Sequence, residues 1–479
     1  MTTLAQSSVA IIGGGLAGLA AAVRLRERGL QVELFEGRRT LGGRAASYRD
    51  AATGELIDHC QHVSMACCTN FQDFCDRTGI AEQFDRYRKL HFFGPDGQRY
   101  DLQGSRWLPA PLHLAISFLR QGYLPWRDRW RIGGVLLKLS RVRDIDTANS
   151  PTIGQWLRMQ GVSELAINRF WSVVLVSALG ETVDRASLPA ARKVFVDGFM
   201  VNRTGYAVDV PRLSLRELFD EQVPLALEKQ GTVIHRQSSV SQLSFDGERV
   251  GALQLADGLS RRFDRYLLAV PWHRVSALLA PELAAALPNL APLRELAASP
   301  ISGVHLWFDR ALTTLPHAVL VDRLTQWVFR RPPAKFENPA APGHYYQVVI
   351  SASRDLSQLC GEEVLTTVLD DLKAIFPAAR EAKLLASKIV TEREAVFSYR
   401  PGFDQWRPGQ KTAINNLFLA GDWTRTGWPA TMESAVRSGY LAASGIMTSL
   451  GQSPLPLAPD LPRDWLAKIC VGNVARDAV

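Results

Sequence analysis

The feature that most constrains the fold of this chain is a glycine-rich turn close to its N-terminus. An apolar run that predicts a buried strand precedes the motif Gly13-x-Gly15-x-x-Gly18, and an Ala- and Leu-rich run that predicts a helix follows it. The next predicted strand ends at Glu36. Glycines at this spacing let the backbone approach a pyrophosphate at the free N–H groups of a helix N-terminus. The turn therefore predicts a dinucleotide site, in which Glu36 accepts hydrogen bonds from ribose hydroxyls.

Three further motifs carry residues that suit a nucleotide ligand. Leu41-Gly42-Gly43-Arg44 permits close backbone approach and offers a charge-assisted bond to phosphate. Asp422, at the end of a late predicted strand, can bind a ribityl hydroxyl of a flavin. The helix that opens at 429–435 presents free N–H groups, which suit the flavin's pyrimidine carbonyl, where negative charge builds up on reduction. All three motifs therefore fit a flavin nucleotide.

In this order and at these distances, the four motifs resemble those of the FAD-dependent amine oxidase and phytoene desaturase superfamily, over nearly the whole chain. More narrowly, the chain is similar to the hydroxysqualene dehydroxylase family, also called squalene-associated FAD-dependent desaturases. The residues that carry this resemblance are Asp58-x-x-Gln61-His62, Arg169-Phe170-Trp171, Ser177-Ala178-Leu179, Arg185-Ala186-Ser187, Val210-Pro211-Arg212-Leu213, His305-Leu306-Trp307-Phe308-Asp309 and the segment from Ala420 to Glu433. The chain departs from the pattern at Cys60, where a small residue such as Gly is expected, and at Ser434, where relatives often carry Gly.

The resemblance implies bound FAD and an α/β fold, with a Rossmann-type FAD-binding domain and an interleaved α+β substrate domain. The FAD-binding domain is expected to be discontinuous, formed by residues 1–105, 225–295 and 409–450. Residues 106–224 are expected to form a helical part that faces the substrate and the membrane, and 296–408 a mixed-sheet substrate domain, followed by an irregular, Pro-rich extension at 451–479. The expected cofactor-binding residues are Gly13, Gly15, Leu16, Ala17, Gly18, Glu36, Gly37, Arg38, Gly43, Arg44, Gln61, His62, Val240, Gly421, Asp422, Thr431, Met432 and Ala435.

The resemblance also implies a reaction, the reductive removal of an allylic-type hydroxyl from hydroxysqualene to give squalene, on the route to hopanoids, related triterpenoids or carotenoids. A leaving hydroxide needs a proton, so a general acid is expected, and the candidates are Asp58, His62 and His305. A carotenoid-type desaturase and an amine oxidase remain open as alternatives, as does a protein that only binds the flavin. The amine oxidase is less favoured, because Ser299–Trp307 contains no Lys such as those enzymes carry near the flavin.

The sequence also limits the other ligands. A single dinucleotide fingerprint is present, so no dedicated nicotinamide subdomain is expected, and the electron donor, NADPH or a reductase, stays open. Four cysteines fall between Cys60 and Cys75, but no Cys-x-x-Cys pair occurs among them, so no metal is expected. No nucleic-acid motif accompanies the net charge of +8, so nucleic acid is not an expected partner.

A basic, Trp-bearing segment between Ser105 and Arg143 predicts contact with an anionic membrane. It carries eight basic residues against one acidic residue, Asp128, together with Trp107, Trp126 and Trp130. Such a segment suits an anionic lipid surface, through which an apolar polyprenoid substrate could enter. The alternative is an ordinary solvated charged face. No apolar run is long enough for a membrane span and no signal peptide is expected, so the predicted location is cytoplasmic, at the inner face of the membrane.

Overall fold

Two large sheets carry most of the strands of the chain. The computed structural model describes residues 7–51, 54–142, 150–331 and 343–472. Within these residues the strands are β1 (Ser8–Ile12), β2 (Gln31–Phe35), β3 (Ser47–Arg49), β4 (Leu56–Asp58), β5 (Ser64–Met65), β6 (Phe84–Tyr87), β7 (Lys89–Phe93), β8 (Arg99–Gln103), β9 (Val208–Pro211), β10 (Val233–His235), β11 (Val240–Phe245), β12 (Val250–Leu255), β13 (Ser260–Arg261), β14 (Arg265–Leu268), β15 (Ala298–Phe308), β16 (His317–Leu320), β17 (Trp327–Arg330), β18 (His344–Ser351), β19 (Leu384–Phe397) and β20 (Leu417–Leu419).

Most of the α-helices lie between the strands or at the end of the chain. They are α1 (Leu16–Arg26), α2 (Thr69–Thr78), α3 (Ala115–Leu119), α4 (Trp126–Arg141), α5 (Ile153–Met159), α6 (Glu164–Ala166), α7 (Val173–Leu179), α8 (Leu188–Phe195), α9 (Val223–Lys229), α10 (Trp272–Leu278), α11 (Pro281–Ala285), α12 (Gly361–Ile375), α13 (Met432–Ser449) and α14 (Trp465–Cys470). Short 3₁₀ and π-helical turns extend several of them.

The first sheet is a parallel sheet of five strands in the order β10-β2-β1-β14-β20. These strands come from three separate stretches of sequence. The central strand β1 is apolar and almost wholly buried, as expected for a parallel strand covered on both faces. The sheet thus gathers the turn after β1, the end of β2 and the end of β20 at one edge, because the carboxyl ends of parallel strands lie together.

Helices α1 and α13 cross at very close range. A Cβ on Gly439 would lie 2.2 Å from the carbonyl oxygen of Ala17, so only glycine fits at this crossing. The crossing face of α1 is made of small buried residues, Ala20 and Ala21 among them. This approach brings the N-terminal turns of both helices, α1 at the first motif and α13 at the last, to the same edge of the parallel sheet.

The second sheet is a mixed sheet of seven strands in the order β19-β15-β18-β17-β16-β7-β8. One of its faces packs its apolar side chains, such as Val304 and Val348, against α12. The opposite face lies against residues 59–62, because a Cβ on Gly303 would stand 2.8 Å from the His59 carbonyl oxygen. Strands β7 and β8 belong to this sheet, whereas the sequence assigned all of 1–105 to the FAD-binding part.

The helical part and the C-terminal segment pack together. Helix α14 shares a buried cluster with residues of the helical part, including Ala110, Val196 and Ala467. The C-terminal segment therefore contains an ordered helix, where the sequence suggested an irregular extension. The domain boundaries as a whole stay a prediction. None of the helices found in the described residues is both long and apolar enough to cross a bilayer.

Candidate functional site

The turn after β1 is closed by backbone contacts that leave no room for side chains. The Gly13 N–H donates to the Phe35 carbonyl across 2.8 Å, and Gly13 has a φ of +112°. A Cβ on Gly13 would lie 2.5 Å from the Ala269 oxygen, and one on Gly18 would lie 2.1 Å from the Gly13 oxygen. Gly13 and Gly18 are therefore required by the strand-to-helix turn itself.

Gly15 has a different environment from these two glycines. A Cβ at this position would meet only the Cα of Gly43, at 3.8 Å, which is an ordinary contact. Gly15 is the N-cap residue of α1 and supplies no side-chain cap, which leaves the N–H groups of the first turn, at Leu16 and Ala17, available to an anion. The Gly42 N–H donates to the Gly14 carbonyl across 2.9 Å, which holds the second glycine motif beside the first. We call Gly15, Gly43 and the first turn of α1 the glycine cradle.

The Glu36 carboxylate orders the loop next to the cradle. It accepts the N–H groups of Gly14 and Arg38, each across 2.8 Å. Gly37 lies against Ser239, since a Cβ on Gly37 would stand 2.5 Å from the Ser239 Oγ. The predicted residues Glu36, Gly37, Arg38 and Val240 are thus brought together by the pairing of the 36–38 and 237–240 segments.

At the other side of the cradle, Arg44 is paired with Asp422. Its Nη2 donates to the Asp422 Oδ1 across 2.6 Å, and its Nη1 donates to the Ala395 carbonyl across 2.8 Å. Asp422 is buried. The N–H of the adjacent Gly421 donates to the Ser438 Oγ across 2.8 Å. The Arg44 guanidinium is therefore engaged by a carboxylate, whereas the sequence suggested a contact with phosphate.

The start of α13 forms the next wall of the site. Thr431 is its N-cap, and its hydroxyl accepts the N–H of Ser434 across 3.3 Å, so Met432 and Ala435 lie in the first turn. Ser434 replaces the expected Gly and shares a hydrogen bond of 2.7 Å with the Thr426 hydroxyl. The Ser434 hydroxyl also donates to the Asp422 carbonyl across 3.3 Å. The Ser434 side chain thus stabilises the loop that carries Asp422.

Asp58 is held on all sides by donors. Its Oδ1 accepts the Ser47 hydroxyl across 2.6 Å and the Leu215 N–H across 3.0 Å. Its Oδ2 lies 3.3 Å from Nη2 of Arg331. Arg331 also donates to the Gln61 side-chain oxygen across 3.2 Å. These bonds give Asp58 a structural role in joining β4 to Arg331, the residue that follows β17, and they position Gln61.

His62 lies half-buried at the end of the same segment. Its Nδ1 lies 3.1 Å from the Cys60 carbonyl, which can only accept, so Nδ1 carries the proton. Burial lowers the pKa of His62, so the ring is neutral near pH 7 and its Nε2 is an acceptor. Burial raises the pKa of the neighbouring Cys60 thiol to about 12. Neither group is ionised at neutral pH.

His305 lies on the face of the mixed sheet that meets residues 59–62. Its Nδ1 lies 2.7 Å from the Tyr345 hydroxyl, and the two rings are stacked. Burial lowers the pKa of His305 to about 3, so the imidazole is neutral over the ordinary pH range. The structure brings Asp58, His62 and His305 into one region, and neither histidine is protonated there at neutral pH.

Two arginines of the site were missed by the sequence reasoning. Arg331 ties Asp58 and Gln61 to β17, and Arg407 is fully buried behind the Asp422 loop. Arg407 donates to the carbonyls of Asp422 and Trp428, each across 3.0 Å. Neither arginine belongs to a local motif, so no sequence signal marks them. In the described part of the chain, no group of three or more His, Cys, Asp or Glu side chains could hold a metal ion.

These residues fit a flavin dinucleotide. The uncapped first turn of α1 beside Gly15 and Gly43 suits a pyrophosphate, since a side chain at Gly15 would fill the space that the backbone leaves open. The cradle lies between the Glu36 loop and the Arg44–Asp422 pair, as a ligand with a nucleoside at one end and a flavin at the other requires.

Comparison with known proteins agrees with this geometry. The chain is 27% identical to a hydroxysqualene dehydroxylase of Zymomonas mobilis, over 90% of this chain and 97% of that protein. It is 26% identical to a zeta-carotene desaturase of Synechocystis, over 92% of this chain and 97% of that protein. An oxidoreductase from Methanosarcina mazei has the same fold, with a TM-score of 0.68 and 18% identity, over 92% of this chain and all of that chain.

A family model extends this likeness to almost the full length. The model of the flavin-containing amine oxidoreductases matches residues 16–447, from the first turn of α1 to the last turns of α13. The α/β fold and the FAD expected from the sequence are thereby confirmed. The chain belongs to the flavin-containing amine oxidoreductase family, and it is an FAD-dependent oxidoreductase.

Proposed function

We propose that this oxidoreductase acts on a polyprenoid, and that its reaction is the reductive removal of the hydroxyl group of hydroxysqualene to give squalene. The observation that carries the proposal is the composition of the sheet face opposite residues 59–62. On β15, β16, β17 and β18 this face carries aromatic, apolar and neutral polar side chains. Trp327 and Phe329, stacked at 5.5 Å, and the neutral His305 are examples. The charged side chains of this face lie on the edge strand β19 or just after β17, and each is paired: Lys388 with Asp50, Glu392 with His59, and Arg331 with Asp58.

The part of this face formed by β15 to β18 separates the candidate functions. An apolar polyprenoid is favoured by such a wall, whereas an amine substrate would bring a positive charge that no acidic side chain on these four strands pairs. The Zymomonas relative carries the name of the proposed activity, and the Synechocystis relative carries that of a carotene desaturase at nearly equal identity. A carotenoid-type desaturase therefore remains the second candidate, and an amine oxidase is a less favoured third.

The cofactor would be held by residues of the four motifs. The glycine cradle would bind the pyrophosphate, the Glu36–Arg38 loop with Val240 the adenosine end, and Gln61, His62, Gly421, Asp422 and the first turn of α13 the flavin end. FAD bound there supplies hydride transfer. The protein's own residues hold the substrate against that end and exclude water from it, because the walls from β15, β17 and β18 are mostly buried.

A surface suited to lipid lies on the helical part. Trp107, Trp126 and Trp130 are 91%, 65% and 66% exposed, and Trp465 and Ile469 of α14 are 65% and 74% exposed. The Asp464 carboxylate accepts the Ala110 N–H across 2.9 Å, which places α14 beside the basic segment. We call these five exposed residues the aromatic surface.

We propose that the aromatic surface docks on an anionic membrane at its cytoplasmic face, with the basic side chains of the same segment on the lipid headgroups. Arg143, the last of the eight basic residues, lies outside the described residues. Docking would give a bilayer-dissolved polyprenoid a route to the site without crossing water.

The reaction is tested with purified, flavin-loaded protein. The flavin is reduced without oxygen, hydroxysqualene is added, and squalene is measured by mass spectrometry together with flavin reoxidation. Squalene formed in proportion to reoxidised flavin supports the proposal. Absence of squalene, with phytoene or zeta-carotene desaturated by the oxidised protein under the same conditions, would transfer the assignment to the second candidate.

A further inference from the structure

One pair of buried side chains carries polar atoms that the contacts described so far do not use. His305 on β15 and Gln347 on β18 stand directly opposite each other in the antiparallel pair, so their side chains project from the same face. Both residues are fully buried. The Nε2 of His305 and both amide atoms of Gln347 have no hydrogen-bond partner in residues 7–51, 54–142, 150–331 and 343–472, which the structure describes.

Their direction follows from the sheet. Gly303, two residues before His305 on the same strand, faces the His59 carbonyl, while Val304 and Val348 project from the opposite face toward α12. His305 and Gln347 therefore project toward residues 59–62, on the side expected to hold the flavin. Phe329 is the next cross-strand neighbour of Gln347, so the unpartnered polar atoms lie beside an aromatic wall.

The donor pattern of His305 can be read from Tyr345. Among the residues that the structure describes, the Tyr345 hydroxyl has no hydrogen-bond partner other than the His305 Nδ1. Burial raises the pKa of Tyr345, so the hydroxyl keeps its proton. The hydroxyl is satisfied as a donor only if it donates to Nδ1. The neutral His305 ring then carries its own proton on Nε2, which is an N–H donor directed at the site.

We propose that His305 and Gln347 form the subsite that binds the hydroxyl oxygen of an alcohol substrate, and so select an oxygenated polyprenoid over a pure hydrocarbon. The inference rests on the proposed function and deepens it. His305 Nε2–H and the Gln347 amide N–H donate to the hydroxyl oxygen, and the Gln347 carbonyl accepts its proton. A buried polar atom without a hydrogen-bond partner costs free energy, and a bound hydrocarbon would leave the His305 and Gln347 atoms without partners.

The first test compares ligand binding in the oxidised, flavin-loaded protein, where no turnover takes place. Hydroxysqualene and squalene are titrated in detergent and read from the flavin absorbance. The wild type is expected to bind the alcohol about tenfold or more tightly than the hydrocarbon, and Gln347→Leu is expected to lose about tenfold in alcohol affinity while squalene affinity stays the same. His305→Phe is expected to act in the same direction.

Thermal unfolding separates this role from a structural one. Gln347→Leu removes unpartnered buried polar atoms, so its Tm is expected to be unchanged or higher. Gln326→Leu is the matched control, because the Gln326 amide bonds Ser351 at 2.9 and 3.1 Å; it is expected to lower Tm without altering the preference for the alcohol. A Tm for Gln347→Leu as low as that of the control, or equal weakening of both ligands, would overturn the subsite.

The two proposals fail in different ways. Selective binding of the alcohol without squalene formation on reduction would overturn the reaction and leave the subsite standing. Squalene formation that neither Gln347→Leu nor His305→Phe changes would overturn the subsite and leave the reaction standing.

Discussion

The guanidinium of Arg44 donates to the carboxylate of Asp422 across 2.6 Å, and the pair joins two motifs that lie 378 positions apart in the chain. Asp422 is nearly inaccessible, whereas Arg44 is partly exposed. The charge of Asp422 therefore depends on Arg44 for compensation, and the second and third sequence motifs form one unit.

Loss of this ion pair is expected to weaken both the fold and flavin retention. Arg44→Met would leave the buried Asp422 carboxylate without its cationic partner, at a cost of roughly 1–3 kcal/mol in the free energy of unfolding. The measurements are urea unfolding and the flavin content after purification. Arg249→Met, in an exposed hairpin pair with Asp246 at 3.4 Å, is the control and is expected to change stability by about 0.5 kcal/mol or less. Equal effects of the two substitutions would contradict this role.

Alanine substitutions at Gly15 and Gly439 are expected to change different properties, FAD affinity at Gly15 and folding stability at Gly439. A methyl group at Gly15 meets only an ordinary contact, so Gly15→Ala should fold normally but bind FAD more weakly, because the methyl occupies the cradle. At Gly439 the methyl would lie 2.2 Å from the Ala17 oxygen, so Gly439→Ala should lower Tm even without the cofactor. FAD titration and apoprotein melting measure the two effects. A Gly15→Ala protein with unchanged FAD affinity would argue against the cradle.

Asp58 is expected to act through structure rather than proton transfer. In Asp58→Asn the side-chain NH₂ group replaces one carboxylate oxygen. It then either faces the Arg331 guanidinium or takes the place of the oxygen that accepts the Ser47 hydroxyl, so Tm should fall in both orientations. Because Arg331→Met removes the same contact, the double variant should lose less stability than the sum of the single losses. Melting curves of the three variants give this coupling. A large loss of turnover in Asp58→Asn with an unchanged Tm would instead support a catalytic acid.

Buried neutral histidines are expected to make the protein sensitive to acid. His113 does not belong to any of the four motifs. His113 is fully buried, and this burial lowers its pKa from 6.5 to about 4. Between these pH values the unfolded chain binds a proton that the folded one does not, so stability falls as pH decreases through 6.5 and levels off below about 4. Each pH unit in this window costs about 1.4 kcal/mol for such a histidine.

His113→Leu should therefore flatten the decline of the free energy of unfolding between pH 6 and pH 4.5, measured by urea titration at several pH values. An unchanged slope in this variant would show that His113 does not resist protonation in the folded protein.

Membrane docking is expected to need both parts of the aromatic surface. Trp107→Ser and Trp465→Ser should each reduce flotation with anionic liposomes, and the double variant should reduce it further, since both side chains are exposed and their segments are joined by the Asp464 bond to Ala110. Trp406→Ser, a 43% exposed tryptophan outside this surface, is the control. Wild-type protein that stays at the bottom of the gradient would contradict the docking proposal.

The sequence determined the local parts of this protein. The turn at Gly13, the end of β2 just before Glu36 and the start of α13 after Thr431 could be predicted, because each depends on backbone geometry and polar groups within a few residues. The family resemblance was carried by the same short motifs, which is why the cofactor and the enzyme class could be inferred before the fold was seen.

Only the tertiary structure decided what those residues contact. Arg44 is paired with the Asp422 carboxylate, Asp58 is paired with Arg331, and β7 and β8 belong to the mixed sheet. Each of these contacts connects segments that are far apart in sequence, so no local pattern predicts it. Gln347 carries no motif at all. Its proposed role follows only from strand register and burial, which place the Gln347 amide opposite His305 with no partner among the described residues. Neither the register of strands across a sheet nor the burial of a side chain can be predicted from a local sequence pattern.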